Sequence, residues 1–320
     1  MGTTPENMVH AMLERSMKKM RIAAILPGGI LTYLTAAGKL RTEDGGPDIS
    51  NPLMVGGNPN VGPASYYDKM AIAQTNELTT VRYSMARLVA NYVISDQEID
   101  ENSGASKIVD ILSVKMTALE NSFKRYQRSR TASTTSGKDP NGIGNLLPPV
   151  NTSGSIGGIN LATQPYFRHT VYDFKGSLTT ANIEDVFDDI LLDLQNDEGK
   201  ISVIFAGRKI FNMHRAAARD NASLQLGVDK FGQKIANLGL TGTTHQGIKI
   251  VYDEDLPHDD CYFVNQNEIM IHVLKNANMK YEKLNGPMDQ AIKGGRYVWE
   301  GQLCNWKSFR THAYVTNAAA

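Results

Sequence analysis

Apolar residues follow the helical period over two long stretches of the chain and alternate over several short ones. Ile108, Ile111, Leu112, Met116, Leu119, Phe123 and Tyr126 recur at spacings of three and four, which predicts a helix. Asn102 and Ser103 offer its N-cap, and it runs to about Thr131. About 28 residues at 1.5 Å each extend about 42 Å, longer than a small domain is wide. A second helix is capped by Thr179 or Thr180 and runs through Leu194, with Ile183, Val186, Phe187, Ile190 and Leu194 on one face. Shorter helices are expected over 207–219 and 230–238. An amphipathic helix is expected over 6–21, with Met8, Met12, Leu13, Met17 and Met20 near one side and Thr4 and Pro5 as start signals.

The strand pattern is as clear. Val81, Tyr83 and Met85 alternate with Arg82, Ser84 and Ala86, the mark of a half-buried strand. Leu88 to Ile94 is more evenly apolar and either continues that strand or starts a helix. Ile201 to Ala206 is almost wholly apolar, as in a central strand covered on both faces. Further strands are expected at Ile248–Tyr252, Cys261–Val264 and Glu268–Leu274. Arg296–Cys304 and Lys307–Val315, joined at Asn305 and Trp306, predict a closing β-hairpin. The chain is therefore α+β.

Two segments break the pattern. Residues 41–80 hold five glycines and four prolines among Asn, Asp, Ser and Thr, with apolar residues only in short clusters such as Leu53 to Val55 and Tyr66, Tyr67. A loop of this length with so little core is functional or disordered. Its tyrosines and aliphatics have area to bury, so an extended limb that buries it against another subunit fits best. Residues 131–158 form a polar, Gly/Pro-rich connection that ends in Gly154, Gly157 and Gly158. It leads into Tyr166, Phe167 and Arg168. Pro148 and Pro149 hold the approach extended.

Charge narrows the function. Thirty-three basic residues balance thirty-three acidic ones, so gripping nucleic acid through its phosphates is not the main task. No run of about 18 apolar residues is present to cross a membrane as a helix. Cys261 and Cys304 lack CxxC spacing and read as buried small hydrophobes. No Gly-x-Ser-x-Gly, dinucleotide or phosphate-loop motif is found, and the seven histidines show no His-x-x-x-His spacing. The acidic turn around Asp253, Glu254, Asp255, His258, Asp259 and Asp260 reads as a solvated turn rather than a metal site. Lys124, Arg125, Arg128 and Arg130 read as complements to the dipole of the long helix, with binding of phosphate or an acidic neighbour as the alternative. No catalytic, cofactor or metal residue is expected.

The order of features carries more than any motif. Asn-Leu-Ala-Thr-Gln-Pro-Tyr-Phe-Arg after Gly157-Gly158-Ile159, the segment from Leu238-Gly239-Leu240 through Gly247-Ile-Lys-Ile-Val-Tyr-Asp-Glu-Asp-Leu-Pro, and the closing Arg310-Thr-His-Ala-Tyr-Val resemble segments of tailed-phage major capsid proteins. The resemblance to the Hong Kong 97 phage capsid fold runs from about residue 30 onward. It implies an N-terminal arm (1–30), an extended E-loop hairpin (31–80), a peripheral domain with the long spine helix (81–134), an α/β axial domain (135–289) and C-terminal strands returning to the peripheral domain (290–320). Two positions depart from the family. Asn160 stands where relatives often have Asp, and Leu161 where Arg or Ser is common.

The resemblance also implies a non-enzymatic head protein that assembles into hexamers and pentamers of an icosahedral shell around double-stranded DNA. That shell forms in the host cytoplasm and becomes part of the virion. Implied partners are further copies of the chain, a portal protein, a separate scaffolding protein, decoration proteins in some members, and DNA without sequence specificity. No membrane is involved. Tyr66, Tyr67, Arg82, Arg87 and Arg168 are the expected inter-subunit contacts. Two alternatives stand beside it: a soluble α/β enzyme with its site at the Gly154–Gly158 turn, and another phage structural protein such as a tube subunit.

Overall fold

The computed structural model describes residues 29–54, 60–67, 69, 78–95, 97–98, 105–195, 199–220, 242–285, 292–307 and 309–318. The helices expected over 6–21 and 230–238 lie outside them. In chain order come α1 (Gly29–Ala36), β1 (Leu40–Glu43), β2 (Asp48–Met54), β3 (Leu78–Ser84), β4 (Ala86–Ser95), α2 (Ala105–Ala132) and α3 (Ile143–Leu146). Then follow β5 (Ser155–Ile156), β6 (Ile159–Asn160), β7 (Thr170–Asp173), α4 (Ile183–Asp193), β8 (Val203–Ala206) and α5 (Arg208–Asp220). The remaining strands are β9 (Gly242–His245), β10 (Ile248–Tyr252), β11 (Asp260–Val264), β12 (Ile269–Leu274), β13 (Lys280–Asn285), β14 (Ile292–Asn305) and β15 (Ala313–Thr316).

All four side chains of β8 are buried because the strand lies inside a six-stranded sheet of order β7-β15-β11-β8-β10-β9. Alternation sends Ile204, Ala206, Cys261, Phe263, Ala313 and Val315 to one face. There Ile183, Phe187 and Ile190 of α4 and Ile210 and Phe211 of α5 cover them. Val203, Phe205, Val251, Tyr262, Val264 and Tyr314 point the other way, into the main core with Ile30, Tyr33 and Leu34 of α1. The Tyr33 ring meets Phe205 edge-on at 5.5 Å.

The second sheet has β14 as its axis. One edge of β14 pairs antiparallel with β4, the other with β12 and β13, and β1 adds parallel to β12. The long helix spans 28 residues as expected and packs on β4 and α1. Phe123 and Met116 turn inward. A break at Met85 separates β3 from β4. The buried set is Val81 and Tyr83 before the break and Ala86, Leu88 and Ile94 after it, so the inward parity shifts by one residue there. The segment 88–94 continues as strand.

Four expectations need correction. The closing hairpin does not form: β14 and β15 belong to different sheets. Phe309, fully buried edge-on to Phe167, draws the chain from one sheet to the other. The limb starts later than residue 31, because Ile30, Leu31, Tyr33 and Leu34 of α1 are buried and β1 is locked into the second sheet. The acidic turn is not solvated throughout: Asp253 is buried and its Oδ2 accepts the Ile30 amide at 2.8 Å. That bond caps one of the unpaired amides at the start of α1. A Cβ on Gly29, whose φ is +81°, would fall 2.2 Å from the same oxygen. Finally, Arg128 does more than offset the α2 dipole, since it ion-pairs across the fold with Glu254 and Asp255. Lys124 is buried beside Glu120.

Candidate assembly surfaces

The limb is rooted in an antiparallel pair. β2 and β3 run from Asp48↔Ser84 to Met54↔Leu78, and their alternation buries Ile49, Leu53, Val81 and Tyr83. At the end of this root and beyond it, the large apolar side chains among the described residues are bare. Tyr66 and Tyr67 are 103% and 99% exposed, Val61 is 84%, Met54 69% and Leu78 68%. Surface aromatics and aliphatics gathered in one projecting segment mark an interaction surface. The tyrosines do not fold back over a cavity of their own subunit.

The three arginines differ. Arg82 is exposed at the limb root and lines a groove of about 280 Å³ with Tyr83, Lys138, Asn141, Gly157 and Gln302. Arg87 pairs with Glu300 at 3.2 Å across β4 and β14. Arg168 donates to the carbonyls of Leu161 and Ala162 at 2.6 and 3.0 Å, which pins the loop after β6. The cation over Tyr166 is instead Arg310, 5.3 Å from the ring centre. Asn160 accepts the Ala162 amide at 2.8 Å, a local turn bond that needs no ionic partner.

The Gly154–Gly158 turn is a packing device. Its β5–β6 hairpin buries Ile156 and Ile159, and Gly157 O accepts the Arg82 amide at 2.8 Å. A Cβ at Gly157, with φ +56°, would meet Val81 Cγ1 at 2.6 Å. Gly157→Ala should therefore lower stability by about 1–2 kcal/mol, from the left-handed backbone cost alone. A denaturant melt checks this. An unchanged midpoint would show that the turn is not clamped on the limb root.

Histidines without any spacing signal come together in space. His245 Nε2 lies 2.6 Å from Asp188 and its Nδ1 3.3 Å from His214 Nε2. Thr243 Oγ1 is 3.4 Å from His214 Nδ1. A consistent neutral assignment has His245 donating to Asp188, His214 donating to His245, and Thr243 donating to His214. Phe187 stacks on His214. Burial, helped by His245, pushes His214 down to about 4. Burial does the same to His169, whose Nε2 bonds the Pro148 carbonyl at 2.7 Å. Because His214 and His169 fold neutral, their contribution is complete above about pH 6.5 and is lost as pH falls toward 4. Thermal melts from pH 7 to 4 should show falling stability, with a shallower fall in His214→Gln. Identical slopes in both proteins would refute the assignment. Among the described residues, no group of three or more His, Cys, Asp or Glu could hold a metal ion.

No family model matches the chain, and no curated protein matches it by sequence. Solved structures do. The chain is similar to a subunit of the cyanophage A-1(L) capsid at 14% identity and TM-score 0.61, covering 91% of this chain and 92% of that one. The capsid of a native GTA particle matches at 12% identity and TM-score 0.53, over 91% and 92% of the two chains. The SrpI encapsulin of Synechococcus elongatus PCC 7942 matches at 11% identity and TM-score 0.51, over 75% and 78%. At these identities the likeness concerns the fold, and it covers nearly the whole length of the phage chain. The chain has the α+β fold of these shell proteins, the Hong Kong 97 phage capsid fold.

Proposed function

We propose that the chain is a major capsid protein whose copies form hexamers and pentamers and close an icosahedral shell around phage double-stranded DNA. The observation that carries this reading is agreement in fold over 91% of the chain with a phage capsid subunit. The bare limb supports it, because Tyr66, Tyr67 and Val61 gain burial only against a neighbour. Arg82, exposed at the limb root, is the next contact. Arg87 and Arg168, each engaged within its own subunit, contribute at the rim. A chain with no net charge suits a wall that must admit and release DNA rather than hold it.

The role is structural, not enzymatic. On this reading the further partners are a portal protein, a separate scaffolding protein and, where the head needs reinforcement, a decoration protein. The product is a virion assembled in the bacterial cytoplasm. Negative-stain microscopy with sedimentation tests it: closed isometric shells are expected. Helical tubes would point to a tube subunit, and a compact monomer stabilised by a small ligand to an enzyme. The encapsulin match favours a second reading, a shell that encloses no phage genome. Nuclease-resistant DNA in particles purified from infected cells separates it from the first.

A further inference from the structure

Helix α4 carries Glu184, Asp185, Asp188, Asp189 and Asp193 with no Lys or Arg. Helix α5, packed beside it, carries Arg208, Lys209, Arg215 and Arg219 against the single Asp220. Both helices bury their apolar face on the same side of the six-stranded sheet. Their outward faces are therefore stripes of opposite sign. Asp185, Asp189 and the 68% exposed Leu192 share one, and Arg208, Asn212 and Arg215 share the other.

Helix electrostatics account for Glu184 and Asp185 in the first turn of α4 but not for the rest of this arrangement. Anions suit a helix N-terminus and cations a C-terminus. Asp189 and Asp193 sit in the C-terminal half of α4, and α5 begins with Arg208 and Lys209. Contacts within the chain use only part of the charge. Asp188 bonds His245 and Gln246, Asp193 bonds Tyr172, and Lys209 pairs with Asp259. Asp185, Asp189, Arg208 and Arg215 make no ion pair with another described residue.

We propose that these faces form an interface between copies of the chain, with the Asp185–Asp189–Leu192 stripe of one copy against the Arg208–Arg215 stripe of the next. The inference rests on the shell reading and names a contact within it. A second copy is the occupant because both signs stand on neighbouring helices of one chain, so an identical molecule supplies the complement of each stripe. Leu192 gives the contact an apolar centre among the charges.

Charge reversal tests this with the full chain. Asp185→Lys with Asp189→Lys, and separately Arg208→Glu with Arg215→Glu, should each lower the yield of assembled particles by about tenfold or more, because like charges then meet. Mixing the two reversed chains, or combining all four substitutions in one chain, should restore assembly. Assembly of wild type should weaken as salt rises from about 0.05 to 0.5 M. Circular dichroism and thermal melts establish that each variant is folded. Should a double variant unfold, Asp189→Lys and Arg215→Glu alone are read in the same way. Reversed chains that assemble like wild type, or a folded mixture that stays dispersed, overturn the interface while leaving the shell reading intact. A wild-type chain that never assembles overturns both.

Discussion

Replacing residues 55–77 by a two-residue turn should leave a folded protein that closes no shells. Met54 and Leu78 are cross-strand partners, so their ends lie within the reach of a tight hairpin turn. Ile49, Leu53, Val81 and Tyr83 stay in the core, and the melting temperature should hold near that of wild type. Among the described residues, what disappears is Tyr66, Tyr67 and Val61, apolar surface that is bare in the isolated subunit. On the proposed shell reading, full burial of such side chains contributes about 1.5–3 kcal/mol each at every contact between subunits. Assembly yield should fall to background in electron micrographs, and intact shells would falsify the limb's role. The cut must begin after Met54. A deletion starting at residue 43 also removes Ile49, Leu53 and the bond that His272 donates to Glu43 at 2.8 Å, and would confuse misfolding with failed assembly.

The largest loss of stability should follow Glu268→Ala. Its side chain is 1% exposed and joins the two sheets. It accepts from Thr311 Oγ1 at 2.6 Å and Asn265 Nδ2 at 2.9 Å, and lies 3.1 Å from His312 Nε2. The His312 Nδ1 accepts the Asn265 amide at 3.2 Å, which leaves the proton on the nitrogen facing Glu268. Removing the carboxylate strands these donors in the core, at a cost of about 3–5 kcal/mol. Glu268→Gln keeps most of the geometry and should lose less. Burial pushes the Glu268 carboxyl up, but the bonds from His312 and Thr311 outweigh it and the net shift is down. A lowered carboxylate stabilises fully above its unfolded value near 4.5, and that contribution is lost as pH falls through the folded value. Denaturant melts at pH 7 and pH 3 should therefore separate wild type from Glu268→Gln less at the lower pH. A constant separation would remove the carboxylate from the account.

Much of the fold was legible because single periods run uninterrupted. The spine helix, α4 and the wholly buried β8 each show one pattern over their full length. The strands β1, β7, β9 and β13 read Leu-Arg-Thr-Glu, Thr-Val-Tyr-Asp, Gly-Thr-Thr-His and Lys-Tyr-Glu-Lys-Leu-Asn. They are short and polar and show no clear period: β1 and β7 become strands by pairing with partners far along the chain, residues 271–274 and 313–316, while β9 and β13 pair with the strands that follow them. Asn305 and Trp306 imitate a hairpin turn, yet the Trp306 indole donates to His272 Nε2 at 2.7 Å, and the chain then crosses between sheets. Tyr66 and Tyr67 stand out in the sequence as aromatics in a polar window, and the structure leaves both bare. The pairing of His214 with His245 and the capping by Asp253 were not legible, since residues brought together only by the tertiary fold leave no spacing to find.

The placement of β15 bears on timing. Residues 313–316 lie between β7 and β11, so two strands translated earlier keep bare hydrogen-bonding edges until this one arrives. A polypeptide released before that point has a gap inside its sheet rather than a frayed margin. A chain lacking this segment cannot close its six-stranded sheet, because the strand made after all its neighbours is the one that joins them.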